Sequence, residues 1–587
     1  MSTSSHRLNR YLRVYRGSVA LGALCVSLYL AGSVANPIVL RKVIDGMQEG
    51  TPPADTAIGL TAFLGIAATV FACSVAMRRT LLGLANRVEH DLRRDVFQHL
   101  TQMDAAFFQR ERTGDLMTKM SSDLAAIREM IGQGLLQGSR MALGFPLAFG
   151  VMFTTNVRLA AIVAALLPVI SVLFFVLIRL VRRYYDLAQE QFSTIANFAQ
   201  ETFAGIRTIK GFGIEDRRRH RFAELNREFI RRNMALSRIE EPVWPFMMFL
   251  YWIGAVLLLV FAGHQILRGE ISLGVYVQFQ QHLVFLQWPM LALGWTINLF
   301  QRGRTSWSRV RQILDARPDV VDPPPAVAVP FPAGAGIDFR GVCLRLGERN
   351  ILNGITLHIP AGQCLGITGP TGSGKTMMAA LLARLFDPSE GEILIGGVPI
   401  NRIPLAELRR RIGMVQQEPF LFSDTVAGNL SFGLEPAEDP FATHEAAIRR
   451  VAAIAHLTDE IREFSQEFHT PVGERGVTLS GGQRRRAALA RALAREPQIL
   501  VLDDVFSAVD TQTESKILDA LIPAIRGKTV LLISHRVSTL RHADRIIVLD
   551  GGRIVQDGRH EELVNQSGYY RELDEIQRLE ARLEDPA

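Results

Sequence analysis

The sequence holds only four cysteines, Cys25, Cys73, Cys343 and Cys364, and no two of them have CxxC or metal-ligand spacing. That excludes a dithiol redox motif and a zinc site, and the two inside apolar windows behave as small hydrophobes. Charge of either sign is missing from six windows of the first half, at 17–40, 57–77, 141–157, 159–178, 242–267 and 271–300. Without an Asp or Glu at membrane depth, proton coupling and a buried carboxylate for a strongly cationic substrate are both disfavoured. No nucleic-acid-binding module is present. The net charge of +7 comes from Lys and Arg clustered beside the apolar windows, where cytoplasmic loops need them. A cleavable signal is excluded as well, because the run from Gly17 to Leu40 is too long for a signal core and no small-residue cleavage site stands out.

What is present divides the 587 residues in two. Each uncharged window is close to the roughly 20 residues of a membrane-spanning helix, the third being short and best extended back toward Gly132. Residues 1–16 place Leu8, Leu12 and Tyr15 at helical spacing among arginines, the pattern of a short interfacial helix. Loops 1–2, 3–4 and 5–6 are short, whereas 2–3 and 4–5 are long and helical in pattern, so that two hairpins project roughly 40 Å from the membrane at 1.5 Å per residue. They carry Arg79, Arg87, Arg93, Arg94, Arg182, Arg183 and Arg217 to Arg219, which places them and both termini in the cytoplasm. Turns are expected at the hairpin tips, at Arg112 to Asp115 (RTGD) and Gly211 to Asp216 (GFGIED), where Gly and Asp interrupt the helical pattern. These are either plain reversals or contacts that carry motion from a soluble domain. The last window holds Gln278, Gln280, Gln281, His282, Gln287 and Trp288, which face either a cavity or another helix. The helical domain therefore covers 17–312, a proline-rich connector 313–336, and a second domain 337–587.

The second domain has a P-loop, Gly369 to Thr376 (GPTGSGKT), preceded by the apolar run Cys364 to Ile367 and followed by a helical pattern. Gly369, Gly372 and Gly374, with Thr371 and Ser373 between them, let backbone N–H groups curl around phosphates. Lys375 reaches the terminal phosphates and the Thr376 hydroxyl binds Mg²⁺. Ile499 to Leu502 is an apolar strand that delivers Asp503 to the metal, followed by Asp504, and Thr529 to Ser534 is a similar run ending at His535. Leu479 to Gln483 (LSGGQ) opens a basic helical segment with the run Arg484 to Arg486, read as a helix start rather than a phosphate site.

Together these stretches resemble a half-transporter of the type IV ATP-binding cassette exporters: an α-helical six-span transmembrane domain with long cytoplasmic extensions, fused to an α/β P-loop nucleotide-binding domain. The resemblance implies that ATP and Mg²⁺ are the cofactors and that Gln417 is the Q-loop glutamine, also touching the metal. Ser480, Gly481, Gly482 and Gln483 belong to the signature, Ser507 to Asp510 form the D-loop, Glu474 to Gly476 the X-loop, and His535 is the switch histidine. RTGD and GFGIED become the coupling helices. It also implies a dimer, each ATP lying between the P-loop of one chain and the signature of the other. Two positions depart from the family pattern. Asp504 stands where Glu polarises the attacking water, and Leu346 where an aromatic ring stacks on adenine. Both weaken this chain's own site, as in the degenerate subunit of heterodimeric multidrug-type exporters, with a homodimer as the alternative. The expected function is ATP-driven export of lipophilic small molecules or lipids through the bilayer; an importer of a metal-chelate or cofactor, or an ATP-gated channel, would use the same fold.

Overall fold

The computed structural model describes residues 4–473, 476–507 and 509–584. The chain forms two compact units, one of Met1–Thr101 with Thr113–Ala316, the other of Gln102–Arg112 with Arg317–Ala587. The helices of the first half are α1 (Ser4–Val14), α2 (Arg16–Glu49), α3 (Pro53–Leu100), α4 (Ala105–Arg110), α5 (Thr113–Thr118), α6 (Leu124–Glu129), α7 (Leu135–Thr155), α8 (Val157–Ala204), α9 (Ile206–Phe212), α10 (Glu215–Glu240), α11 (Val243–Leu267) and α12 (Leu273–Asp315). π-helical turns join α5 to α6 and α6 to α7.

Among the described residues, five helical runs are long and apolar enough to cross a membrane: α2, α3, α8, α10 with α11, and α12. The third expected window lies on α7, whose first turns carry Gln137 and Arg140 and so dilute its apolar character. Helices α3 and α8, at 48 residues each, run far past their apolar windows, about 70 Å at 1.5 Å per residue. Reversals fall where the sequence stops the helix. Asn156 leaves helical geometry between α7 and α8, accepts the Leu159 N–H at 3.0 Å and donates to Gln265 at 2.9 Å. Helix α1 is fastened to α3 by Tyr11 donating to Asp95 at 2.6 Å and Tyr15 to Asp91 at 2.8 Å.

Two polar residues of the last span, Gln278 and Gln280, make helix-to-helix hydrogen bonds. Gln278 is fully buried, donates to Thr155 of α7 at 3.3 Å and accepts from Arg41 of α2 at 3.4 Å, and Gln280 donates to Tyr251 of α11 at 3.4 Å. The cavity lies further along α12, from Met290 to Phe300. About 780 Å³ in volume, it is lined by α7, α8 and α12 through residues that include Phe145, Phe149, Phe153, Ala164, Met290 and Phe300, and none of the described residues on its wall is charged.

The first hairpin tip differs from expectation, and the second meets it in part. Arg112 to Asp115 is not the turn: Thr113–Thr118 is helical, with Asp115 in its first turn, where a carboxylate suits the positive end of a helix. The reversal occupies 101–112 and contains α4. At the second tip the chain breaks at Gly205, forms α9 and turns at Gly213, whose left-handed φ of 63° suits glycine. Only the latter half of that tip coincides with GFGIED.

The second unit is built on two sheets. Strands β1 (Ile337–Leu346), β2 (Arg349–Ile359), β4 (Glu390–Ile395) and β5 (Val398–Pro399) form an antiparallel sheet in the order β2-β1-β4-β5. Strands β3 (Cys364–Thr368), β6 (Ile412–Val415), β7 (Ile499–Asp503), β8 (Thr529–Ile533), β9 (Arg545–Asp550) and β10 (Arg553–Gly558) form the other, in the order β10-β9-β3-β8-β7-β6. Strands β9, β3, β8, β7 and β6 pair in parallel. They read as unbroken apolar runs because helices cover both faces of such a sheet: α13 (Lys375–Leu382), α14 (Leu405–Arg411), α15 (Val426–Leu430), α16 (Pro440–Ile454), α17 (Thr458–Glu463), α18 (Gly481–Ala494), α19 (Thr511–Ile525), α20 (Val537–Leu540), α21 (His560–Asn565) and α22 (Tyr569–Glu584).

The proline-rich segment is not a free tether. Val329 N–H donates to the Arg402 carbonyl at 2.8 Å, Phe331 N–H to Glu407 at 2.9 Å, and Asp322 accepts the Leu405 N–H at 2.7 Å. The fully buried Arg384 donates to the Val321 carbonyl at 3.2 Å. Its prolines prevent a helix, and the backbone groups of Val321, Val329 and Phe331 are satisfied within the second unit.

Candidate functional site

Strand β3 ends at Thr368, and the chain then bends through Gly369 at a φ of 144°. A Cβ there would sit 1.9 Å from the Leu549 carbonyl, so only glycine permits the strand end to pass β9 this closely. Gly372 and Gly374 also have positive φ, and α13 starts at Lys375. Thr371 is exposed and Ser373 is buried. The Lys375 ammonium, buried, donates to the carbonyls of Gly369 and Pro370 at 2.8 Å each and lies 3.4 Å from the Ser373 hydroxyl. Burial lowers its pKa, opposed by the nearby Asp503 and Asp504 carboxylates. The loop thus holds a cation on its own carbonyls at the start of a helix, with the Ser373 N–H donating to the Pro370 carbonyl at 3.2 Å.

Asp503, the last residue of β7, is 2% exposed, and burial raises its carboxyl above the usual range, against a hydrogen bond from the Thr376 hydroxyl. Its Oδ2 is buried and has no hydrogen-bond partner among the described residues. An orphaned carboxylate oxygen next to a hydroxyl suits a hard, oxygen-seeking cation such as Mg²⁺, which takes few protein ligands and completes its shell from phosphate and water. Asp504 follows in a left-handed conformation, φ 51°, its N–H donating to the Ile533 carbonyl at 2.9 Å. This ties the Asp504 backbone to the end of β8, two residues before His535. Burial and the Lys375 charge lower the His535 pKa, while Asp504 opposes them. Lys375, Thr376, Asp503, Asp504 and His535 therefore form one electrostatically connected group.

The other expected positions stand on other elements. Gln417 is exposed, two residues past the end of β6, which pairs with β7 through Val415 and Leu502. Leu346 ends β1 and is partly buried against the core shared with the P-loop helix, in a hairpin whose Leu352 abuts Gly374. Ser480 caps α18: its hydroxyl accepts the Gln483 N–H at 3.2 Å while the Gln483 side chain accepts the Ser480 N–H at 2.8 Å. Gly481 and Gly482 occupy the first turn of α18, whose later residues, Ala487 to Ala490, pack in the other core cluster. Of the basic run, Arg486 is buried and donates to the His456 carbonyl and to Glu460 at 2.6 Å each, a structural role. Glu474 and Arg475 of the X-loop and Ala508 of the D-loop lie outside the described residues.

Comparison with known proteins decides the lineage. Residues 19–290 match the model of the ABC transporter transmembrane region, and 352–507 that of the ABC transporter domain. The chain is 35% identical over 98% of its length, and 96% of the relative's, to "Multidrug resistance-like ATP-binding protein MdlA" of Escherichia coli (strain K12). It belongs to the ABC transporter family. This ABC half-transporter is also 32% identical to the "ATP-dependent lipid A-core flippase" of Desulfotalea psychrophila (strain LSv54 / DSM 12343), over 83% of this chain and 84% of that one. Among solved structures it superposes on "Structure of a bacterial Atm1-family ABC exporter with ATP bound" with a TM-score of 0.77 and 26% identity, covering 96% of this chain and 99% of that one. A multi-pass membrane region and an ABC ATPase domain are thus fused in one chain.

Three residues of the ABC unit escaped sequence reading. Asp104 precedes α4 and accepts the Phe107 N–H at 2.9 Å and the Val320 N–H at 3.2 Å. Its D-x-x-F start is a weak N-cap signal that could have been noticed. Glu514 of α19, 1% exposed, accepts from Ser538 at 3.0 Å and Thr539 at 2.5 Å and pairs with Arg536. Gln577 of α22 holds the backbone on both sides of Arg536. No local pattern marks the last two, since their partners are distant in sequence.

Proposed function

We propose that this ABC transporter uses ATP to export lipophilic small molecules or lipids across the inner membrane, with the nucleotide domain and both termini cytoplasmic. The observation that carries the reading is the cavity of about 780 Å³ within the membrane unit, walled by phenylalanine, methionine and small residues. A wall of that kind binds cargo by area removed from water, at about 25 cal/mol per Å², and imposes little polar selection. Names of relatives, multidrug resistance-like and lipid A-core flippase, support cargo of this class.

ATP would lie on the P-loop, its β- and γ-phosphates on the N–H groups of Gly372 to Lys375 and on the Lys375 ammonium. Thr376 and Asp503, with Gln417 from the segment after β6, would hold Mg²⁺, which neutralises charge on the phosphate oxygens when bound. Asp504 would orient the attacking water and His535 would donate to the γ-phosphate. The signature Ser480–Gln483 carries the same kind of helix N-terminus but opens a helix that packs in the other core cluster, which supports its serving the ATP of a second copy or of a related half-transporter. Asp504 is a methylene shorter than Glu, and a shortfall of about an ångström at a catalytic carboxylate costs on the order of a hundredfold in rate. That favours a heterodimer in which this chain's own P-loop builds the weaker site. The test is reconstitution in lipid vesicles, alone and with a candidate partner half-transporter, reading ATP turnover and efflux of a lipophilic dye. Efflux only with the partner supports the heterodimer; full turnover by this chain alone sinks the weak-site reading.

A further inference from the structure

The segment that follows β8 carries His535 and is irregular up to α20. Its start is held by the buried Ser534, whose N–H donates to the Ile367 carbonyl of β3 at 3.1 Å and whose hydroxyl accepts the Arg536 N–H at 3.0 Å. The C-terminal helix adds a constraint on the carbonyl of His535 itself. The Gln577 side chain donates from Nε2 to the His535 carbonyl at 2.6 Å, and its Oε1 accepts the Val537 N–H at 2.8 Å. One amide thus bridges the backbone on either side of Arg536, using its donor and its acceptor together. The geometry demands both functions, which among side chains of this reach only glutamine offers.

The helix bearing Gln577 is itself fixed. Tyr570 is fully buried, its hydroxyl 2.8 Å from His560 Nδ1 and its N–H donating to Gln556 at 3.2 Å. Tyr570 packs in one cluster with Val537, Leu540, Ile546, Val548 and Leu563, so the helix and the His535 segment share a core. The far side of the segment is held by the buried Glu514, which bonds Arg536, Ser538 and Thr539. Glu514 therefore restrains the side chains after His535, and Gln577 restrains the main chain of His535 itself.

We propose that Gln577 is a positioning residue for ATP hydrolysis, setting the backbone from which His535 reaches the γ-phosphate. This rests on the reading of His535 given above. A displacement of about an ångström in a catalytic group lowers a rate on the order of a hundredfold, so loss of the amide is expected to fall on kcat and leave ATP affinity nearly unchanged.

The test uses the full-length chain in lipid nanodiscs, measuring kcat and KM for ATP in wild type, Gln577→Leu, Gln577→Glu, His535→Ala and the double variant His535→Ala/Gln577→Leu, with thermal unfolding as a check on folding. Gln577→Leu should lower kcat at least tenfold with KM within about twofold. Gln577→Glu, which accepts from Val537 but cannot donate to His535 at neutral pH, should fall between that variant and wild type. Added to His535→Ala, Gln577→Leu should cost nothing further, because the group it positions is gone. An equal further loss in the double variant, or wild-type kcat in Gln577→Leu while His535→Ala is impaired, would overturn the role of Gln577 alone. Unimpaired turnover in His535→Ala would overturn the role of His535 and that of Gln577 with it.

Discussion

Asp104 and Val320 are joined across 216 positions of sequence: the Val320 N–H donates to Asp104 Oδ2 at 3.2 Å, and the neighbouring Asp319 N–H donates to the same oxygen. The other oxygen of Asp104 caps α4 through Phe107. A single buried carboxylate therefore ties the hairpin tip to the start of the connector, while Ala105 and Ala106 pack on the ABC core.

Asp104→Ala should uncouple this tip. Loss of the cap costs about 1 kcal/mol, and two connector N–H groups lose their acceptor, so α4 should fray. ATP turnover is expected to persist while the increase in turnover caused by transported cargo is lost. Comparing basal and cargo-stimulated ATPase in nanodiscs, with protease sensitivity at 102–112, checks both parts.

Asp504→Glu should raise single-turnover hydrolysis at this chain's own site by about tenfold or more, since the longer carboxylate recovers the missing reach. The gain is limited by the backbone. At a φ of 51° an Asp is better tolerated than a Glu, and the left-handed region costs on the order of 1 kcal/mol for ordinary residues. Rapid-quench measurement on the variant and on Asp504→Ala decides it; no gain for Glu over Asp would show that side-chain length is not what limits the site.

The His535 pKa lies below its ordinary value of about 6.5 through burial and the Lys375 charge, so the imidazole is neutral at pH 7. A base with a depressed folded value contributes stability above its unfolded pKa and loses it as pH falls through the folded one. Turnover should fall in that same acid window as a second positive charge appears beside Lys375. The acid limb should be absent from His535→Gln.

Asp123 lies in the π-helical turn before α6, buried, accepting from Ser306 at 2.9 Å and from Arg309 Nε at 2.7 Å. The Arg309 guanidinium holds its carboxyl below the usual range. Stability from the pair is present above about pH 3.8 and is lost as pH falls through the lower, folded value. Asp123→Ala should destabilise the membrane unit by roughly 2 kcal/mol, less than the 3–5 kcal/mol of a fully enclosed pair because Arg309 is half exposed. Thermal unfolding of the detergent-purified variant measures it.

Ala164→Trp should fill the cavity without placing a charge in the membrane. Basal ATP turnover is expected to remain within about twofold, while efflux of a lipophilic dye falls at least tenfold. An undiminished efflux would show that cargo passes elsewhere.

The parts legible in the sequence were those whose chemistry is contiguous. Gly369 to Thr376 and the apolar strand ending in Asp503 carry their partners within a few residues, or at the end of a neighbouring strand of recognisable pattern. The hairpin tip was misplaced because Gly114 and Asp115 look like helix breakers, although an exposed acid in the first turn of α5 favours the helix. The polar residues of α12 left two outcomes open, because period alone does not tell a cavity wall from a neighbouring helix; Thr155 and Tyr251 decided it for Gln278 and Gln280. Gln577 was invisible because its bonds go to main-chain atoms about 40 residues away, which leave no mark in residue type.

The chain passes between its two units three times, after Thr101, after Arg112 and after Ala316. The ABC domain is consequently not a cassette that one cut at the connector can remove or graft. A gene fragment beginning at Arg317 would encode a domain without Asp104, leaving the Val320 N–H unpaired and the surface under Ala105 and Ala106 bare. Chimeras that exchange this domain between transporters should fold best when Gln102–Arg112 travels with it as a separate insert, so the unit of inheritance is a discontinuous one.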